Sequence, residues 1–455
     1  MLLLPMVSAE VCNGQGFPMI YKNVTNGYLN QIEYDCVTGN HIMYSTSLSN
    51  ENHFSLTDIT NTTIDVRIST GYIIKDFEIF EDYVFFCGNT SLGEGLIGWF
   101  NINDLFYASL PAYTDNTLIV SMISELDDIE VYRDIYGKIH IAGLGSNTTF
   151  NSIGFEAMGD PLTGMQYRTA VFQFPVHDLT ITDRFIVYAG DYAQRGITLY
   201  PFPKNDIFSS TIFHPSVYFQ TTTPYTVEPD VIDNIEIIHT EGDCVATLSR
   251  YTVNNPFGIN LSQHLALRTY KVNDSIAVMT SAYRMPYPYI FSTSRNIREA
   301  AYDPNLSTYY VLHKFPIALS MNIYAVTELD FSAGIPSYIH NYYSSYTAIP
   351  MYGFCLTHSH YYTVCGFDPS NHIPYYWQGI HSSPIGNCVY DQPLSLKVLD
   401  NEDGKDIGSS IVISGWRPLV FQDEEVGLEH TTDSELICTE GYYKFLKATF
   451  KIQEN

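Results

Sequence analysis

The feature that most constrains this chain is a two-part run that returns seven times. A segment of alternating apolar character opens each copy. A second segment, apolar almost throughout, follows within a few residues and often ends on a small one. The clearest copy lies in the stretch from Lys75 to Phe106, where Asp76-Phe77-Glu78-Ile79-Phe80 is followed by Asp82-Tyr83-Val84-Phe85-Phe86-Cys87-Gly88. Later copies run Asp128 to Tyr132 with Lys138 to Gly143, and Asp178 to Ile181 with Arg184 to Gly190. They continue with Asn234 to Ile238 and Asp243 to Leu248, Ile297 to Tyr302 and Ser307 to Leu312, and Met351 to Cys355 and His360 to Gly366. Upstream, Gln31 to Asp35 with His41 to Ser45 fits the same frame. The motif Asn103-Asp104-Leu105-Phe106 returns as Asn205-Asp206-Ile207-Phe208, at the same distance from Gly88 and from Gly190.

Alternation with period 2 is the mark of a half-buried strand, and an unbroken apolar run is the mark of a strand buried on both faces. Units of roughly 40–50 residues, each with three or four such strands, are the signature of a β-propeller. The expected fold is therefore all-β, a β-propeller of seven four-stranded blades; six or eight blades fit the same spacing. A β-sandwich array would need linkers between domains, and none is visible. The small residues Gly88, Gly143, Gly190 and Gly366 are expected where chains approach closely. Residues 1–12 read as the remnant of a signal peptide or as a first strand, and residues 13–455 as one propeller. The segment from about residue 390 either completes the ring or forms a small appended β element. Within it, Asp423 to Asp433 reads as an exposed loop.

Composition supports this and excludes some functions. The 37 Tyr and 26 Phe suit pleated surfaces. A net charge of -27 leaves no basic footprint for nucleic acid. No segment approaches the ~20 apolar residues that span a membrane. Eight Cys in irregular spacing suggest no fixed disulfide framework. Cys355 with Cys365, Cys12 with Cys36, and Cys388 with Cys438 are conceivable pairs, while Cys87 and Cys244 read as buried thiols.

The runs DFEIFEDYVFFCG and GLIGWFNINDLF resemble uncharacterised secreted propeller proteins of gut Bacteroidetes. That resemblance spans residues 70–320 and implies an exported propeller, periplasmic, cell-surface or secreted. It implies no catalytic residues.

Few motifs carry chemistry. Cys355, His358, His360 and Cys365 have a spacing that zinc accepts, but a hairpin turning near Ser359 accounts for it equally. Asp400-Asn401-Glu402-Asp403-Gly404-Lys405-Asp406 is rich in oxygen ligands but fails the calcium-loop template, and reads as a hairpin turn. No metal or cofactor is expected. No nucleophile elbow or zinc-protease motif is present. The recurring Asp76, Asp128 and Asp178 are expected to bond turn backbone. Three aromatic clusters are the binding candidates: Tyr283, Arg284, Tyr287 and Tyr289; Tyr342 and Tyr343; and Tyr375, Tyr376 and Trp377. They read as loops between strands, where such residues favour contact with a carbohydrate or a protein or peptide ligand. The expected role is a binding or scaffold protein. The alternative is a glycan-active enzyme, hydrolase or lyase, with its site at the channel mouth, and acidic side chains converging there would favour it.

Overall fold

The computed structural model shows an all-β chain of antiparallel sheets. It describes the strands named below together with connecting residues 39, 48, 81–82, 91–94, 102, 122–124, 134–138, 147–152, 172, 175, 182–184, 204, 242–243 and 305–307. After β1 (Met19–Lys22) the strands fall into seven groups. The first is β2 (Gly27–Asp35), β3 (Asn40–Ser47), β4 (Asn52–Thr57) and β5 (Thr63–Ile68). The second is β6 (Tyr72–Phe80), β7 (Tyr83–Thr90), β8 (Gly95–Asn101) and β9 (Tyr113–Val120). The third is β10 (Glu125–Arg133), β11 (Ile139–Ser146), β12 (Ile153–Asp160) and β13 (Gly164–Val171). The fourth is β14 (Val176–Ile181), β15 (Phe185–Asp191), β16 (Ile197–Pro203) and β17 (Val217–Thr221). The fifth is β18 (Val231–His239), β19 (Cys244–Val253), β20 (Ser262–Val272) and β21 (Ala277–Met285). The sixth is β22 (Asn296–Asp303), β23 (Thr308–Ala318), β24 (Met321–Asp330) and β25 (Ser337–Tyr343). The seventh is β26 (Met351–Thr357), β27 (Tyr361–Asp368) and β28 (Ile373–Ile380), and its fourth strand is β1, which pairs with β28.

The tail is expected either to complete the ring or to form a small appended β element. β1 takes the fourth place of the seventh group, and the tail strands lie along the edges of the groups. Its strands are β29 (Tyr390–Asp391), β30 (Lys397–Val398), β31 (Glu402–Asp406), β32 (Val412–Ile413), β33 (Arg417–Pro418), β34 (Val420–His430) and β35 (Glu435–Ile437). They add to the outer edges of the groups in reverse order. β29 lies on β25, β30 on β21, β31 on β17, β32 and β33 on β13, β34 on β9 and then β5, and β35 on β1. Two sequence readings are thereby corrected. Gly404 is not in a hairpin turn but in a ladder opposite Phe219. Asp423, Glu424 and Glu425 are not in a loop but in β34, opposite Asn116, Asp115 and Thr114. A strand added at an edge needs only backbone donors and acceptors, so its side chains can stay polar.

The first two strands of every group coincide with the seven copies read from the sequence. β7, β11 and β15 are buried along nearly their whole length. Each first strand also carries a β-bulge, after Leu29, Ile74, Leu126, Val176, Asp233, Ile297 and Met351. The extra residue bends the strand and sharpens its twist. Glycines face two of these bends because nothing larger fits: a Cβ at Gly88 or Gly190 would come within 1.9 Å of the Ile73 or Pro175 carbonyl oxygen. In the third group that place belongs to Gly145, whose Cβ would meet the Glu125 oxygen at 2.4 Å, rather than to Gly143.

Seven hydrophobic clusters fill the spaces between groups. Phe54, Phe77 and Phe86 join groups one and two, and Phe85, Trp99 and Phe155 join two and three. The series continues through Tyr188 with Tyr132, Val187 with Val245, Leu248 with Val311, and Tyr310 with Phe354. Ile32 and Met43 with Cys355 and Cys365 then link the seventh group back to the first. The first strands contact one another in the same cyclic order, β26 meeting β2. One group cannot cover its own faces; each cluster needs side chains from two.

Candidate functional site

Period 2 places Asp76 and Glu78 on one face of β6, and Asp128 and Glu130 on the same face of β10. Glu33 on β2 and Asp178 on β14 extend this set. The bulges put Gln31, Asp76, Asp128 and Asp178 at one level, each the first residue past the bend. Gln31 Nε2 donates to Asp76 Oδ1 at 2.6 Å. Asp76 Oδ2 accepts from the Ile129 amide at 3.1 Å, and Glu78 Oε2 accepts from the Val131 amide. Asp178 accepts from its neighbour Leu179 at 2.8 Å and, across to β18, from the Ile237 amide. For Asp76 and Asp178 the expected structural role thus holds, but the partner is strand backbone of the next group rather than a turn.

The electrostatics follow from this crowding. Each carboxyl keeps a small accessible surface while protein surrounds it. Burial, then Asp76 and Glu130, push Glu33 up to about 8. Glu130 is also pushed up to about 8, by burial and then by Asp178 and Asp76, with Lys204 opposing. Glu78 and Asp128 lie well above the usual carboxylate range, burial again leading. Asp178 is pushed up to about 6 against the pull of its amide donors. Asp178 and Asp76 are the leading charges acting on Asp128, and like charges this close disfavour ionising all of them together. Among the described residues no amide donates to Glu33 or Glu130, which leaves their oxygens available.

A second buried cluster lies inside the third group. His140 Nδ1 is 3.0 Å from Glu156 Oε1 and its Nε2 is 3.1 Å from Asp134 Oδ2. Arg168 clamps Glu156 at 2.7 Å and 2.8 Å. Both ring nitrogens of His140 are occupied and the ring stacks on Tyr132, so this imidazole is committed to structure.

The aromatic clusters are placed differently from the sequence reading. Tyr283 and Arg284 lie in β21, opposite Val398 and Lys397 of the tail. Tyr342 and Tyr343 lie in β25, opposite Asp391 and Tyr390 of the tail. Tyr375, Tyr376 and Trp377 lie in β28, opposite Lys22, Tyr21 and Ile20. None of these seven is in a loop; Tyr287 and Tyr289 lie outside the described residues. The three stretches sit in three different sheets, and two of them are where the chain's own tail adds a strand.

Cys355 and Cys365 are free, buried thiols, out of register with one another: Cys355 faces Thr363 and Cys365 faces Gly353. Burial pushes both thiols up. Their strands form the expected hairpin, with His358 and His360 outside the described residues. Cys87 is a buried thiol as expected, and Cys244 is partly exposed. Cys12, Cys36, Cys388 and Cys438, and the repeated Asn-Asp motifs, also lie outside the described residues. No group of metal-ligating side chains occurs among the described residues. No helix there is long and apolar enough to cross a membrane.

What sequence reasoning missed is the second acidic tier, Glu33, Glu78 and Glu130. The signal was present as Asp-x-Glu in the second and third copies. Large apolar side chains also stand exposed at one end of the first three groups. Leu48, Leu92 and Phe150 occupy the turns between second and third strands, with exposures of 53%, 85% and 43%.

No known family model matches the chain, and no curated protein matches it. Among solved structures it is similar to a polysaccharide lyase of family PL25, an ulvan lyase, in two forms. One of them is bound to -[GlcA(1-4)Rha3S]-. Each has a TM-score of 0.40, with 6% and 7% identity, over 78% of this chain and 94% of that one. A likeness at this level carries no functional argument.

Proposed function

We propose that the chain is a seven-bladed β-propeller that serves as an exported binding scaffold. The cyclic contact of seven bulged first strands supports the blade count. The observation that carries the scaffold reading is how the axial carboxylates are used. Asp76, Glu78 and Asp178 spend their lone pairs on backbone amides of the neighbouring blade. An acidic centre that would otherwise speak for catalysis is largely engaged in holding blades together. Binding is then assigned to a face of the ring. Leu48, Leu92 and Phe150 stand at equivalent turns of three consecutive blades, and apolar side chains repeated in this way suit an apolar stretch of a protein or peptide.

A second reading keeps one observation on its side. Among the described residues no amide donates to Glu33 or Glu130, and both carboxyls are pushed up to about 8. A carboxylic acid still protonated near neutrality can act as a general acid, as a glycan-active enzyme requires.

One experiment separates these readings. The purified protein is screened on peptide and glycan arrays and, in parallel, for turnover of polysaccharides. The scaffold reading expects peptide hits that fall at least tenfold in a Leu48→Ser, Leu92→Ser, Phe150→Ser variant, with no turnover. Turnover abolished by Glu130→Gln would establish the second reading. An array without hits, or hits indifferent to the triple variant, would sink the first.

A further inference from the structure

We infer that the tail strands β29–β35 form an external strap whose last strand holds the ring-closing strand β1 in place. This rests on the ring proposed above. β1 is the weak point of such a ring. It has four residues, and it alone completes the seventh blade. A four-residue strand at a free edge has few hydrogen bonds and one packed side, and would fray. It is not left at an edge. Ile20, Tyr21 and Lys22 pair outward with Ile437, Leu436 and Glu435 of β35, so the sheet order is β26-β27-β28-β1-β35. The first and last described strands are hydrogen-bonded neighbours.

The route of the tail explains how β35 is delivered there. From the sixth blade it passes backwards over the fifth, fourth, third, second and first, and ends on the seventh. Its contacts are unequal. β29, β30, β32 and β33 engage two residues each. Contacts that short do not persist alone and depend on the tether between them. β31 engages five residues. β34 is the anchor: Val420 to Val426 pair with β9, and Gly427 to His430 pair with β5, so one strand ties two blades into a nine-stranded sheet. Such a strap can peel from its ends while β34 stays seated. Peeling at β35 turns β1 back into a free edge.

Hydrogen–deuterium exchange on the full chain tests this. A Leu436→Pro, Ile437→Pro variant, which removes two amide donors from β35, should exchange the amides of Met19 to Lys22 about tenfold faster. The amides of Val84 to Cys87 should not change. Unchanged β1 exchange, or equal acceleration at β1 and β7, overturns the strap. Where that variant fails to fold, a protease site placed between Ile380 and Tyr390 is cut after folding. The severed strap should stay bound, leave in urea before global unfolding, and raise β1 exchange as it leaves. Departure with β1 unaffected overturns the strap. Cross-linking between β2 and β26 separates this from the ring itself: its absence sinks the ring, and its presence beside an indifferent β1 sinks only the strap.

Discussion

The first strands of groups two to four and those of groups five and seven share one backbone device and differ in what fills it. All carry the bulge, in the same place. Past it stand Asp76, Asp128 and Asp178 in the first set, and Ile235 and Gly353 in the second. In the first set the Asp76 and Asp178 side chains reach across to amides of the next group. In the second the side chain packs, Ile235 in the cluster with Phe185 and Val245, or vanishes, as at Gly353 beside Cys365. The bulge is therefore the invariant that turns the strand, and the carboxylate is one of several ways to join neighbours once it is turned.

The largest effect should come from attacking the invariant. Gly88→Val places a Cβ where the Ile73 carbonyl oxygen already is, and rigid backbone cannot yield as a flexible side chain would. A loss of about 3 kcal/mol or more is expected, read as the urea midpoint, and Gly190→Val should behave alike. Gly353→Ala meets the Cys365 sulfur at 2.9 Å and Gln31 Cα at 3.0 Å, a milder conflict that should cost about 1–2 kcal/mol. Equal losses at Gly88 and Gly353 would mean that the bend is not the common element.

A middling effect is expected from the side-chain joint. Asp76→Ala strands the part-buried Ile129 amide and takes from Gln31 Nε2 its shorter acceptor, leaving it the Phe77 carbonyl at 3.3 Å. The cost should be about 1–3 kcal/mol. The amide of Ile129 should also exchange faster while Ile237, held by Asp178, is unaffected. A variant whose stability and Ile129 exchange match the parent would show that the carboxylate is a passenger on the bulge.

These contrasts also explain what the sequence could reveal. The strand pairs that open the seven groups were legible because burial imposes period 2 on one strand and continuous apolarity on its partner. The strap was not, because Glu402-Asp403-Gly404-Lys405-Asp406 and Asp423-Glu424-Glu425 pair through backbone alone and keep polar side chains. The aromatic clusters misled for a related reason: Tyr beside Pro and Asn resembles a loop, yet Tyr342 and Tyr375 sit in ladders. For the carboxyl cluster, Asp-x-Glu told which side chains share a face. That three neighbouring strands turn that face toward one another follows from the contacts between first strands, which no local pattern contains.

The smallest and most diagnostic effect concerns protons. Glu33 and Glu130 titrate near 8 when folded and near 4.5 when unfolded. The folded chain therefore binds more protons between those values, and stability from this source is full below about 4.5 and lost as pH rises through 8. His41 works in the opposite sense. Buried beside Thr363, its Nε2 2.9 Å from the hydroxyl oxygen, it is pushed down to about 4 from 6.5. The unfolded chain then binds the extra proton, and stability is lost as pH falls from 6.5 towards 4. At pH 7 the carboxyls dominate, so unfolding there should release roughly one to two protons, seen as a dependence of calorimetric enthalpy on buffer ionisation. Glu33→Gln with Glu130→Gln should lower that release, leaving the share of Glu78 and Asp128, and flatten the decline towards pH 8. His41→Asn should flatten only the acid side. Proton uptake instead of release at pH 7 would show that the acidic tier is open to water, and would return those two glutamates to the ordinary surface.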